Sequence, residues 1–184
     1  PAGSIVVSGN YAYLACGVYG VQMIDISNRS APRWVGMHSL NSPASSLCVA
    51  GGYLYVAAGW GGLQVFNIDR TPALTLIGKC DTYGSATDVF IRDHAAYIAG
   101  GESGVQIIDV TNPAAMRLLG SYDTNWMALG IREANRYAYV ADHYNGLQVI
   151  DVADPSQPRM VGGYDLYGYT GRVGVNGRLV YLGV

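Results

Sequence analysis

Charge is scarce in this sequence. Of 184 residues only 13% are charged, and 11 Lys and Arg stand against 13 Asp and Glu. No stretch gathers the basic residues, so there is no positive field to displace counterions, and a nucleic-acid partner is not expected. No apolar run approaches the roughly 20 residues of a membrane helix, so no transmembrane segment is expected. The opening residues, Pro1-Ala2-Gly3-Ser4, carry no leader pattern of basic and then apolar residues. Phenylalanine is nearly absent, with two residues against 15 tyrosines. Cysteine is limited to Cys16, Cys48 and Cys80, which read as free, mostly buried thiols. No pair is spaced C-x-x-C and none lies near a histidine in metal spacing, so neither a redox motif nor a zinc site is indicated.

What the chain does have is an unbroken repeat. Tyr13, Tyr55, Tyr97, Tyr139 and Tyr181 are 42 residues apart, as are Gln22, Gln64, Gln106 and Gln148, and Gly36, Gly78, Gly120 and Gly162. The periods are 1–42, 43–84, 85–126 and 127–168, with a partial fifth at 169–184. Each reads as four short strands separated by Gly, Pro, Asn and Asp turns. In the second period these are Ser46 to Ala50, Tyr53 to Ala57, Gly62 to Ile68 and Leu74 to Gly78. No long segment spaces apolar residues helically. Strand three is apolar at most positions, as in Leu147-Gln148-Val149-Ile150-Asp151-Val152, which implies cover on both sheet faces. Four strands per period with doubly covered sheets predict an all-β fold, a β-propeller of four-stranded antiparallel blades.

The third strands carry a resemblance. Val21-Gln22-Met23-Ile24-Asp25-Ile26, Leu63-Gln64-Val65-Phe66-Asn67-Ile68, Val105-Gln106-Ile107-Ile108-Asp109-Val110 and the fourth copy above resemble the LVIVD-repeat family. So do the turns Thr111-Asn112-Pro113 and Ala153-Asp154-Pro155. The resemblance covers the whole chain, departing where Asn67 replaces Asp. It implies a propeller and an extracellular or cell-surface setting, and it supplies no catalytic residues. A single domain over 1–184 is expected. It would be an excerpt of a ring of about five to eight blades, with the remaining blades or neighbouring subunits as partners.

A four-strand meander puts the loops joining strands two and three on one face with the blade-to-blade loops. These loops vary. They carry Tyr19, Trp60, Tyr83, Trp126, His143, Tyr144, Tyr167 and Tyr169, candidates for contact with a protein or glycan partner, since Tyr and Trp bury much area at low entropic cost. Packing between blades is the competing reading. His143, between Asp142 and Tyr144, is the one cluster that reads as a catalytic guess; a polar loop is the plainer explanation. Asp81, Asp123 and Asp165 form an acidic column that could hold Ca²⁺ if it converged on the axial mouth. Otherwise no cofactor is expected. The Gln column should hydrogen-bond backbone, and Asp25, Asn67, Asp109 and Asp151 should accept turn N–H groups. Trp34, in column with Leu76, Leu118 and Met160, reads as core. The sequence points first to a non-catalytic interaction scaffold. A metal-dependent hydrolase or lyase at the axial mouth, or a structural subunit, are the alternatives.

Overall fold

The computed structural model describes residues 3–69, 73–166 and 168–183. Tyr167 and turn residues 70–72 lie outside the described residues. The first repeat folds as β1 (Ser4–Ser8), β2 (Tyr11–Ala15), β3 (Val21–Asp25) and β4 (Arg33–His38). The second gives β5 (Ser46–Ala50), β6 (Tyr53–Ala57), β7 (Leu63–Asn67) and β8 (Thr75–Cys80). The third gives β9 (Asp88–Arg92), β10 (Ala95–Ala99), β11 (Val105–Asp109) and β12 (Arg117–Tyr122). The fourth gives β13 (Gly130–Ala134), β14 (Tyr137–Ala141), β15 (Leu147–Asp151) and β16 (Arg159–Tyr164), and β17 (Arg172–Asn176) and β18 (Leu179–Gly183) follow. Each set of four is an antiparallel meander, and β17 pairs with β18. The fold is all-β, built of propeller blades. Among the described residues no helix is long and apolar enough to cross a membrane.

The first two strands of every blade are joined by two-residue hairpins that need positive φ. Gly51 and Gly52 supply it in the second blade at 56° and 79°, and Asn135 and Arg136 do so in the fourth at 53° and 72°. The first strands adjoin one another, β1 against β5, β5 against β9, β9 against β13 and β13 against β17, and so line the axis. The guanidinium of Arg172 on β17 donates to the Gly3 carbonyl, bringing the fifth blade's first strand within reach of the first blade.

The core lies between the blades. Tyr13, Met23, Leu47 and Phe66 form one cluster, Val65, Val89 and Ile108 the next, and Ile107, Ile131 and Ile150 a third. β7 and β11 are buried at four of five positions, as an apolar strand covered on both faces requires. The blade faces at either end of the arc carry the same chemistry uncovered: Ile5 and Tyr181 are exposed, while Leu47 and Tyr13 in the same columns are buried.

Three expectations change. The fourth strand runs Thr75–Cys80 rather than from Leu74 to Gly78. The cysteines are free, but half-buried rather than buried. Trp34 is not core: it is 65% exposed, and Leu76, Leu118 and Met160 are exposed with it. The cause is a β-bulge repeated in all four complete blades, where register is lost between Met23 and Ile24, Val65 and Phe66, Ile107 and Ile108, and Val149 and Ile150. A bulge sets two residues against one. Val35 takes the inward place against the first core cluster, and Trp34 is turned to solvent.

Candidate functional site

The expected turn role is met in all four copies, and the glutamine role at Gln106 and Gln148. Asp25, Asn67, Asp109 and Asp151 each accept the backbone N–H two residues on, at 2.8 to 3.0 Å. Gln106 clamps a blade-to-blade loop, accepting from Tyr83 N at 3.0 Å and donating to Tyr83 O at 2.5 Å. Gln148 donates to Asn145 O.

On the variable face Tyr19, Trp60, Tyr83, Trp126, Tyr144 and Tyr169 are all exposed. They do not spread evenly. The Trp126 indole N–H donates to His143 Nδ1 at 3.2 Å. The His143 ring lies 4.1 Å from that of Tyr144 and 4.8 Å from that of Tyr169, and Trp126 and Tyr144 are 6.5 Å apart. Loops of the third, fourth and fifth repeats thus bring Trp126, His143, Tyr144 and Tyr169 into one cluster. Because Nδ1 accepts, Nε2 carries the ring proton and is left as a donor.

This cluster sits where the fourth blade departs from the repeat. His143 occupies the column of Gly17, Gly59 and Gly101, whose φ values are 57°, 52° and 62°; His143 itself has φ 50°. A left-handed backbone favours Gly, and a side chain held there is strained. Trp126 replaces Gly84 of the preceding repeat. Asp142 replaces Cys16, Ala58 and Gly100 and is fully buried. It accepts from Thr124 Oγ1 at 2.7 Å and Asn145 Nδ2 at 3.1 Å. Burial pushes its carboxyl above the usual carboxylate range, and these hydrogen bonds offset only part of that. Thr170 replaces Ala44, Ala86 and Ala128, and its hydroxyl donates to His143 O at 2.6 Å and to Gly146 O at 3.2 Å. A buried acid and a strained backbone both cost stability. Here they support the loop that presents His143 and Tyr144.

The structure does not bring Asp81, Asp123 and Asp165 together. Among the described residues no group of three or more His, Cys, Asp or Glu could hold a metal ion. A Cβ on Gly62, just before β7, would stand 3.1 Å from Asp81 Cα. The column therefore adjoins third strands, outside the axial mouth. Asp81 pairs with Lys79 at 3.3 Å, and Asp123 accepts from Asn125 N at 2.8 Å.

The axial mouth is a cavity of 380 Å³ lined by Ser46, Thr87, Asp88, Tyr169 and Arg172 among others. Its carboxylate, Asp88, was missed by sequence reasoning. It accepts from Ser46 Oγ at 2.6 Å, Ile131 N at 3.0 Å and Arg132 Nη1 at 2.7 Å, so it staples three blades. A second missed network lies on the opposite face. Buried Glu133 accepts from Arg136 N at 2.8 Å and lies 2.5 Å from Arg92 Nε. Asp151, bound by Arg136, is held down at about 2. The available signal was a break in column: Glu133 stands where Val7, Val49, Ile91 and Val175 are apolar.

A family model described as LVIVD repeat matches residues 1–38, 43–82, 83–124 and 133–166. No curated protein matches the sequence. Among solved structures the chain is similar to the computationally designed Ika8 protein, with TM-score 0.77 and 12% identity over 98% of this chain and 54% of that one. It is also similar to a functionally unknown protein from Desulfotomaculum acetoxidans DSM 771, with TM-score 0.76 and 12% identity over 98% of this chain and 62% of that one. The designed Ika4 protein matches at TM-score 0.67 and 12% identity, over 80% of this chain and 89% of its own. The chain thus spans little more than half the length of the first of these. At such identity the likeness concerns the fold.

Proposed function

The chain belongs to the LVIVD-repeat family, and from that premise we propose that it is a non-catalytic propeller scaffold whose variable loop face engages a protein or carbohydrate ligand. One observation carries the reading. Around the fourth blade, loops of the third, fourth and fifth repeats abandon Gly, Ala and other small residues at Trp126, Asp142, His143 and Thr170, and the result is a convergent, exposed aromatic cluster. Clustered Trp and Tyr dominate binding energy where they become buried against a partner. The family's usual setting supports a place outside the cell or at its surface.

The test is a screen of the purified chain against neutral, acidic and amino glycans and against basic, acidic and neutral peptides. Each hit is then measured against a Trp126→Ala/Tyr169→Ala double variant. A loss of affinity of about tenfold or more is expected, with an unchanged melting temperature. No hit in either panel, or hits indifferent to the two substitutions, would count against the proposal.

A further inference from the structure

We propose that the ligand of this face is a basic protein segment, whose Lys or Arg side chain seats against Trp126 between Glu102 and Asp123. The inference rests on the binding role proposed above and deepens it. Beside the aromatic cluster is a concavity of 430 Å³ lined by Glu102, Asp123, Asn125, Trp126 and Met127. Trp126 is half exposed, and its N–H is tied to His143, so the orientation of the indole is set before any ligand arrives. Glu102 and Asp123 are exposed, and neither makes an ion pair among the described residues.

The charge of the whole face points the same way. Asp81, Glu102, Asp123 and Asp165 lie exposed on it. The cations at this end are Lys79, already paired with Asp81, and Arg172, which donates to Gly3. Among the described residues the other Arg lie toward the opposite turns or within the inner strands. An acidic rim around exposed rings attracts cations at long range, and an indole face adds cation–π attraction at contact.

Ring geometry separates this ligand from a neutral saccharide. A sugar chain stacks best on rings that share a plane. Here Trp126 and Tyr144 are inclined at 62°, His143 and Tyr144 at 83°, and His143 and Tyr169 at 78°. No two of these pairs form a flat shelf. A point cation needs only one ring face and a carboxylate, and Trp126 with Glu102 and Asp123 supplies both.

The experiment titrates the chain with three probes: a short Lys/Arg–Ser peptide, its Gln–Ser counterpart, and cellohexaose. The peptide's affinity should fall about threefold or more in Trp126→Leu and stay near wild type in Trp126→Phe, which keeps a π face. It should fall by a similar factor in Glu102→Gln/Asp123→Asn, and weaken as salt rises through the physiological range. Peptide binding insensitive to Trp126→Leu would be diffuse attraction to an acidic surface and would overturn the inference. Cellohexaose binding lost in Trp126→Leu, with no basic-peptide dependence, would overturn it and leave the proposed binding face standing. No binding of any probe would overturn the inference, and the broader glycan and peptide screen would then decide whether the binding face stands.

Discussion

Replacing Asp88 by Ala should destabilise the protein by about 3 kcal/mol. Asp88 opens β9 and reaches both neighbours, accepting from Ser46 Oγ on β5 and from Ile131 N and Arg132 Nη1 on β13. Ala removes the acceptor and leaves the donors. A buried donor left unpaired costs about 1–3 kcal/mol. Ser46 can turn its hydroxyl, and the adjoining axial cavity can admit water to Ile131 N, so the lower part of that range applies to each. Arg132 is 34% exposed, and its lost pair adds no more than about 1 kcal/mol. The three together give about 3 kcal/mol. With about 2–4 °C per kcal/mol in a chain of this size, the melting temperature should fall by about 6–12 °C. Urea unfolding followed by both circular dichroism and tryptophan fluorescence measures it, and coincident transitions license the conversion. Asp88→Asn, keeping one carbonyl oxygen for Ile131 N, should lose about half as much. A loss below about 0.5 kcal/mol in Asp88→Ala, the range of an ordinary surface change, would refute the inter-blade staple.

His143→Gly should leave stability within about 1 kcal/mol of wild type, since relief of a left-handed backbone worth about 1–2 kcal/mol offsets the lost ring contacts and the Trp126 hydrogen bond; a melting temperature many degrees lower would contradict this. Asp142 has a folded pKa raised by burial, so its contribution to stability is complete below its unfolded value of about 4 and is lost as pH rises through the folded value. Wild type should therefore lose stability relative to Asp142→Asn as pH rises above the unfolded value of about 4 and through the higher folded value, and a relative gain would show the sign to be wrong. Trp34→Ser should cost less than about 0.5 kcal/mol, against the 3–5 kcal/mol typical of a buried aromatic; a loss in the second range would restore Trp34 to the core.

Much of the fold was legible because it is periodic and local. A fixed step with no insertion places every strand, and a turn-closing carboxylate such as Asp109 needs only its own backbone two residues on. Trp34 was misread because Trp34 and Val35 are adjacent apolar residues, and only the bulge decides which faces inward. The site was half legible. Strand direction alone puts Trp126 and His143 on one face, but nothing in residue type says that the two loops meet closely enough for a hydrogen bond. Asp88 was hidden for the same reason, since its partners Ser46 and Ile131 belong to other blades. Departures from column, at His143, Asp142, Thr170 and Glu133, mark where the blades cease to be equivalent. They form a sharper guide than aromatic count.

Ligand is proposed to meet the variable face at the fourth blade, and hydrogen–deuterium exchange with and without a saturating ligand, taken from the screen described above, tests this. Slowed exchange is expected in residues 100–104, 123–128, 142–146 and 168–170, with the turns at 27–31, 111–115 and 153–157 unchanged. Protection confined to those turns, or to the outer strands, would contradict it.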